Sequence, residues 1–172
     1  MITDVYLRLY ITHTIPIFNQ LMENLEEIYD LAKQRLREAR ILFDSGEIDG
    51  AFYLSGYSVE LMLKWKICKN FEIHNLFSTN SPPLIEGIKV LKDSTYTHNL
   101  YILLLFSGLR ARFDSDKGSN ITLFKANSLL FSCWDPNVRY KPCGHKATSD
   151  VENLLTLLED NTNGLIRWIK VN

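Results

Sequence analysis

The sequence predicts an all-α fold, an up-and-down bundle of four to five helices. Apolar residues recur at three- and four-residue steps over long stretches, and no stretch alternates apolar and polar residues as a half-buried strand does. Neither an internal repeat nor a low-complexity tract interrupts that pattern. A chain of 172 residues fits one domain, and its hydrophobic fraction of 46% is enough for a buried core.

Residues 1–21 stand apart, with β-branched residues, threonines and Pro16 but no sustained period. Met22 opens a cleaner pattern and is a candidate natural start; a short docked N-terminal extension is the competing reading. The single helical domain is then 22–172. Asn24 with Glu27 has the form of a capping box, and Leu25, Ile28, Ala32, Leu36, Ala39 and Phe43 make one apolar stripe that Gly46 stops. A second helix begins near Asp49 as N-cap, with Ala51, Leu54, Ser58, Leu61, Trp65 and Cys68 as its inner stripe. Gly56 lies within it, where glycine costs about 1 kcal/mol against alanine, so another helix is expected to pack closely there.

A turn follows at Ser81-Pro82-Pro83, then a short helix over 84–91. A third main helix is expected over 97–113, a polar loop over 114–120, and a fourth helix over 121–133. Ser149 with Glu152 forms a second capping box, opening a last helix that carries Val151, Leu154, Leu155, Leu158, Leu165, Ile166 and Ile169. Asn161-Thr162-Asn163-Gly164 weakens and kinks it.

A net charge of −1 excludes a molecule that binds nucleic acid by overall charge, so any basic contact surface is local. Three unrelated cysteines do not make a disulfide framework. The first 20 residues carry Asp4, Arg8, His13 and Asn19 and lack a small-residue cleavage site, unlike a signal peptide. The apolar run at 100–106 is too short to span a bilayer. A cytoplasmic protein with no membrane partner is expected.

The stretch GAFYLSGYSVELMLKWKICK, THNL at 97–100, and Arg139-Tyr140 ahead of a final amphipathic helix together resemble the HEPN domain family, in the branch marked by Arg-Tyr. The resemblance covers roughly residues 24–170. It implies a helical bundle, frequently a homodimer. Many HEPN members cut RNA without metal through an arginine and a histidine a few residues later, as toxins or in defence. Others bind nucleotides, or partner nucleotidyltransferase-like antitoxins. Arg139 and His145, with five residues between them, fit the first pattern. Tyr140 stands where the nuclease members carry a polar residue, and the Arg-Tyr branch often lacks a functional histidine. Two functional readings follow: a metal-independent endoribonuclease using Arg-x5-His, and a non-catalytic nucleotide-binding or protein-interaction module.

The chemistry of the first reading assigns roles. A histidine, with an ordinary pKa of about 6.5, suits moving the 2′-hydroxyl proton and contributes roughly 10²–10⁴ in rate. An arginine holds phosphate oxygens through two parallel hydrogen bonds. Arg139 and His145 are thus the candidate catalytic pair, against a capping arginine and a solvated loop histidine. Tyr140, Lys141 and His98 are candidate substrate contacts, Tyr140 by stacking on a base. His98 lines the same cleft as His145 in this reading; in the competing one it is a first-turn residue satisfied by backbone. Glu60 and Lys64, in the favourable i, i+4 order, are read as a half-buried bracing pair. Phe52, Tyr53, Tyr57 and Trp65 are read as core or dimer interface. Cys133, Cys143 and His145 lack the close paired spacing of a zinc site, so no metal is expected. No phosphate-loop, dinucleotide, nucleophile-elbow or metalloprotease motif occurs, and no cofactor is expected.

Overall fold

Eight α-helices and no strand form among the described residues, which are 25–73, 76–77 and 86–172 of the computed structural model. The extension at 1–21, the Met22 start, the Asn24 cap and the turn at 81–83 lie outside them.

Helix α1 (Leu25–Asp44) follows its stripe: Ile28, Ala32 and Ala39 are buried, with Leu25, Leu36 and Phe43 packed beside them. It closes in a Schellman motif. The Gly46 amide donates to Phe43 O at 3.0 Å and the Glu47 amide to Leu42 O at 2.9 Å, with Gly46 at φ +86°. This tight turn sends α2 (Ile48–Asn70) back along α1, and Ser58 Oγ joins the two by donating to Ala32 O at 2.8 Å. Helix α2 departs from the single inner stripe expected of it. It is buried nearly all round, because α1, α4, α7 and α8 all pack on it. Side chains such as Met62, Leu63 and Ile67 are fully enclosed, each contributing about 1.5–3 kcal/mol. Phe52 and Trp65 belong to this core, whereas Tyr53 and Tyr57 are half-buried.

Asp49 is not the N-cap of α2. Glu47 holds that position without a side-chain cap bond, and the Asp49 carboxylate is used elsewhere. The short helix after the turn is α3 (Glu86–Thr95). The helix expected over 97–113 is two, α4 (Leu100–Phe106) and α5 (Arg110–Asp116). A second Schellman motif divides them: Gly108 takes φ +72°, its amide donates to Leu105 O, and the Leu109 amide donates to Leu104 O. The first three residues of the expected loop at 114–120 are therefore helical. Helix α4 begins at Leu100, later than expected, because Asn99 is its cap and accepts from the Tyr101 and Ile102 amides at 3.0 and 3.1 Å.

Helix α6 (Ile121–Ala126) continues into a π-helical turn, Asn127–Phe131. A 3-10 turn, Pro136–Tyr140, leads to α7 (Thr148–Glu159) and α8 (Leu165–Val171). The capping box at Ser149 and Glu152 does not form: α7 starts at Thr148, and Ala147 is its cap residue. The kink expected at 161–164 is a full break, since Asp160 accepts from the Thr162 and Asn163 amides at 2.7 and 3.0 Å and so turns the chain out of the helix. Two such breaks raise the helix number above the four or five expected. Among the described residues, no helix is long and apolar enough to cross a membrane.

Candidate functional site

The 3-10 turn that carries Arg139 is set by Asp135, whose carboxylate accepts from the Asn137 amide at 2.7 Å, with Pro136 next in the chain. Val138 anchors the turn on α2 and leaves Arg139 facing outward. The guanidinium reaches the Tyr53 hydroxyl at a long 3.4 Å and lies 4.9 Å from the centre of the Tyr140 ring. It makes no ion pair with any described residue. Tyr140 is 74% exposed, and Lys141 follows it at the surface. With Thr97, His98, Asn99 and Asn137, Arg139 lines a cleft of about 430 Å³.

Trp134 backs that cleft. Its indole is buried, and Nε1 donates to Tyr53 O at 3.0 Å. The indole also explains Gly56: a Cβ there would fall 2.2 Å from Trp134 Nε1. The close neighbour implied by a mid-helix glycine is thus an aromatic side chain rather than another helix.

Glu60 is 1% exposed, in the middle of α2. A carboxylate in such a position is costly unless paired and hydrogen-bonded. Lys64 Nζ donates to it at 2.7 Å, and His98 Nδ1 approaches its two oxygens at 2.9 and 3.0 Å. The His98 side chain is nevertheless 58% exposed. It is not in the first turn of a helix, because it precedes the Asn99 cap, and that strap lets its ring turn back onto α2. Tyr57 lies beside the pair, its hydroxyl pKa raised by burial and then by the Glu60 charge. A smaller cavity of about 210 Å³, lined by Tyr57, Glu60, Lys64, Phe77 and Tyr96, shares Thr97 and His98 with the Arg139 cleft.

His145 occupies different surroundings. Its loop is tied to the start of α2 by Asp49, which accepts from the Gly144 amide at 2.5 Å and the Lys146 amide at 3.1 Å. His145 Nδ1 sits 3.0 Å from Asp49 Oδ1 without the alignment of a hydrogen bond, and both ring nitrogens are enclosed and make no hydrogen bond among the described residues. Burial pushes the Asp49 carboxyl up, but the Gly144 amide, the nearby His145 and the Lys146 amide together hold it below the usual carboxylate range. Lys146 then caps the Phe52 ring at 3.9 Å. Arg139 and His145 therefore contact α2 one turn apart, at Tyr53 and Asp49, and the cleft that Arg139 lines has His98 in its wall but not His145.

The structure thus brings Arg139 and His98 to one cleft and Glu60 and Lys64 behind it, and it adds Tyr53, Trp134 and Asp49. Of these, Tyr53 and Asp49 were read from the sequence in other roles, as core or interface and as N-cap, and Trp134 was signalled only by the need for a close neighbour at Gly56. Among the described residues, no three His, Cys, Asp or Glu side chains converge as metal ligands. Cys133 Sγ instead donates to Leu129 O at 3.0 Å, and Cys143 is exposed. No family model, curated protein or solved structure matches the chain.

Proposed function

We propose that this chain is a HEPN-like cytoplasmic module that acts on RNA, holding a phosphate of single-stranded RNA or of a nucleotide at Arg139. The observation that carries this reading is the state of the Arg139 guanidinium. It rests on two tyrosines, has no acidic partner among the described residues, and stands at the rim of a cleft. A guanidinium so placed spends one N–H on the Tyr53 hydroxyl and keeps other donors for an anion. Tyr140, exposed beside it, offers a face on which a base stacks for about 1–3 kcal/mol. Lys141, exposed and two residues on, adds positive charge nearby.

The enclosed ring nitrogens of His145 weigh against the pair Arg139 and His145 as proton carriers, and favour binding over cleavage by that pair. A homodimer, or a nucleotidyltransferase-like antitoxin partner, belongs to this reading through the family resemblance alone.

The test is binding of a fluorescein-labelled 12-nucleotide single-stranded RNA, followed by anisotropy in EDTA. Arg139→Gln is expected to weaken it about tenfold or more, the loss of one charge-assisted phosphate contact. Tyr140→Ala weakens it by a similar factor through stacking. Equal affinity of wild type and Arg139→Gln contradicts the reading.

A further inference from the structure

The Glu60–His98 contact has more in it than a braced core charge. A carboxylate that is 1% exposed holds one nitrogen of a ring that is 58% exposed. With Nδ1 committed to Glu60, the neutral ring carries its proton there, and Nε2 is the nitrogen left to accept one. The strap that holds His98 is fixed on both sides. Thr97 Oγ1 accepts from the Asn99 amide at 3.1 Å, and Asn99 caps α4. Lys64 Nζ pairs with Glu60 Oε1 from the other side at 2.7 Å, so the carboxylate does not depend on His98 alone for its partner. His98 is also the residue at which the two cavities meet, one of them containing Arg139. An oriented imidazole, a buried carboxylate orienting it and a cation in the same cleft are the parts of a proton-transfer centre.

We propose that His98, positioned by Glu60, is the general base of a metal-independent RNA-cleaving centre in the Arg139 cleft. This rests on the binding reading above and assigns the proton chemistry to His98 instead of His145. His98 Nε2 takes the 2′-hydroxyl proton. The 2′-oxygen attacks the adjacent phosphorus, and the bond from phosphorus to the 5′-oxygen of the next nucleotide breaks. That oxygen leaves with the bond pair and is protonated by a water, and the hydroxide so formed takes the proton back from His98, restoring the base. Arg139 stabilises the charge on the phosphorane. The products are a 2′,3′-cyclic phosphate and a 5′-hydroxyl, and no oxidant, reductant or metal enters the balance. Glu60 is a positioning residue: it touches the imidazole and not the substrate.

The experiment follows cleavage and anisotropy in parallel, in EDTA, on the same 12-nucleotide RNA, with product ends read by mass spectrometry. Wild type is expected to give cyclic phosphate ends. His98→Ala lowers the rate about 100-fold or more, a far larger effect than its loss of affinity. His98→Gln, which retains an amide to donate to Glu60 while lacking a basic nitrogen, guards against loss of fold and is expected to be equally slow. Glu60→Gln lowers the rate about tenfold, with the ¹⁵N signature of the neutral His98 ring moving away from the Nδ1–H tautomer. RNA that wild type binds and leaves intact overturns this inference and leaves the binding reading standing. Cleavage by His98→Ala or His98→Gln at the wild-type rate overturns it too. RNA that wild type neither binds nor cuts overturns both.

Discussion

Single residues tie the cleft to the core. Gly56 and Trp134 form one such tie, since the indole occupies the space a Cβ would need and donates to the backbone at Tyr53. Gly56→Ala is therefore expected to destabilise the protein by about 2–3 kcal/mol, against the gain an alanine ordinarily brings to a helix. Urea denaturation measures it, and a stabilised Gly56→Ala protein would contradict the packing described. Asp49 is the second tie. Its carboxylate holds the backbone of 144–146, and Asp49→Ala is expected to cost about 2 kcal/mol through charge-assisted hydrogen bonds. The sign of its pH dependence follows from its lowered pKa. The carboxylate contributes fully above the ordinary value of about 3.9 and loses its contribution as pH falls through the lower folded value. The stability gap between wild type and Asp49→Ala is expected to be constant from pH 7 to about pH 5 and to close only in stronger acid. A gap that is already closed near pH 6 would contradict Asp49 as the anchor.

At the scale of elements, three helices end by the same device with different residues. Gly46 and Gly108 supply positive φ after α1 and α4, while α2 ends with Glu72 at φ +54°. The Glu72 amide donates to Lys69 O at 3.3 Å and the Ile73 amide to Cys68 O at 3.0 Å, so a glutamate performs a turn that suits glycine. Glu72→Gly is expected to raise stability by about 1 kcal/mol, the usual cost of the left-handed conformation for a residue with a Cβ. A thermal melt that falls on this substitution would contradict it. The caps also explain which helices were legible. The α1 stripe and the apolar positions of α7 and α8 read directly from spacing, because each presents one face to the core. The break at Gly108 did not, since Phe106, Leu109 and Phe113 keep helical three- and four-residue spacing across it. Helix α2 hid its role for the opposite reason: a helix covered on all sides has no stripe to contrast with.

At the scale of the whole molecule, the candidate site is made by long-range contacts around α2. Glu60 meets His98 from 38 residues away, Tyr53 meets Arg139 from 86, and Asp49 meets the Gly144 amide from 95. Spacing along a chain carries no information on such pairings. It marked Arg139 and His145 as neighbours because they lie close in sequence, whereas the fold seats Arg139 across a cleft from His98 and packs His145 against Asp49. It read Glu60 and Lys64 as a half-buried pair, and their depth became apparent only when α2 proved central. Asp49 looked like an N-cap because acids favour that position, and its tertiary role left no local sign.

RNA is expected to engage the cleft of Arg139 and His98 and not the His145 loop. The most direct measurement is a titration of the ¹³C,¹⁵N-labelled protein with a 12-nucleotide single-stranded RNA in EDTA, with 2′-O-methyl riboses to prevent cleavage, observing the histidine rings and arginine side chains by NMR. Saturable shifts of the His98 ring and the Arg139 guanidinium, with the His145 ring unmoved, are the predicted result. Shifts centred on His145 with His98 and Arg139 unmoved would contradict it.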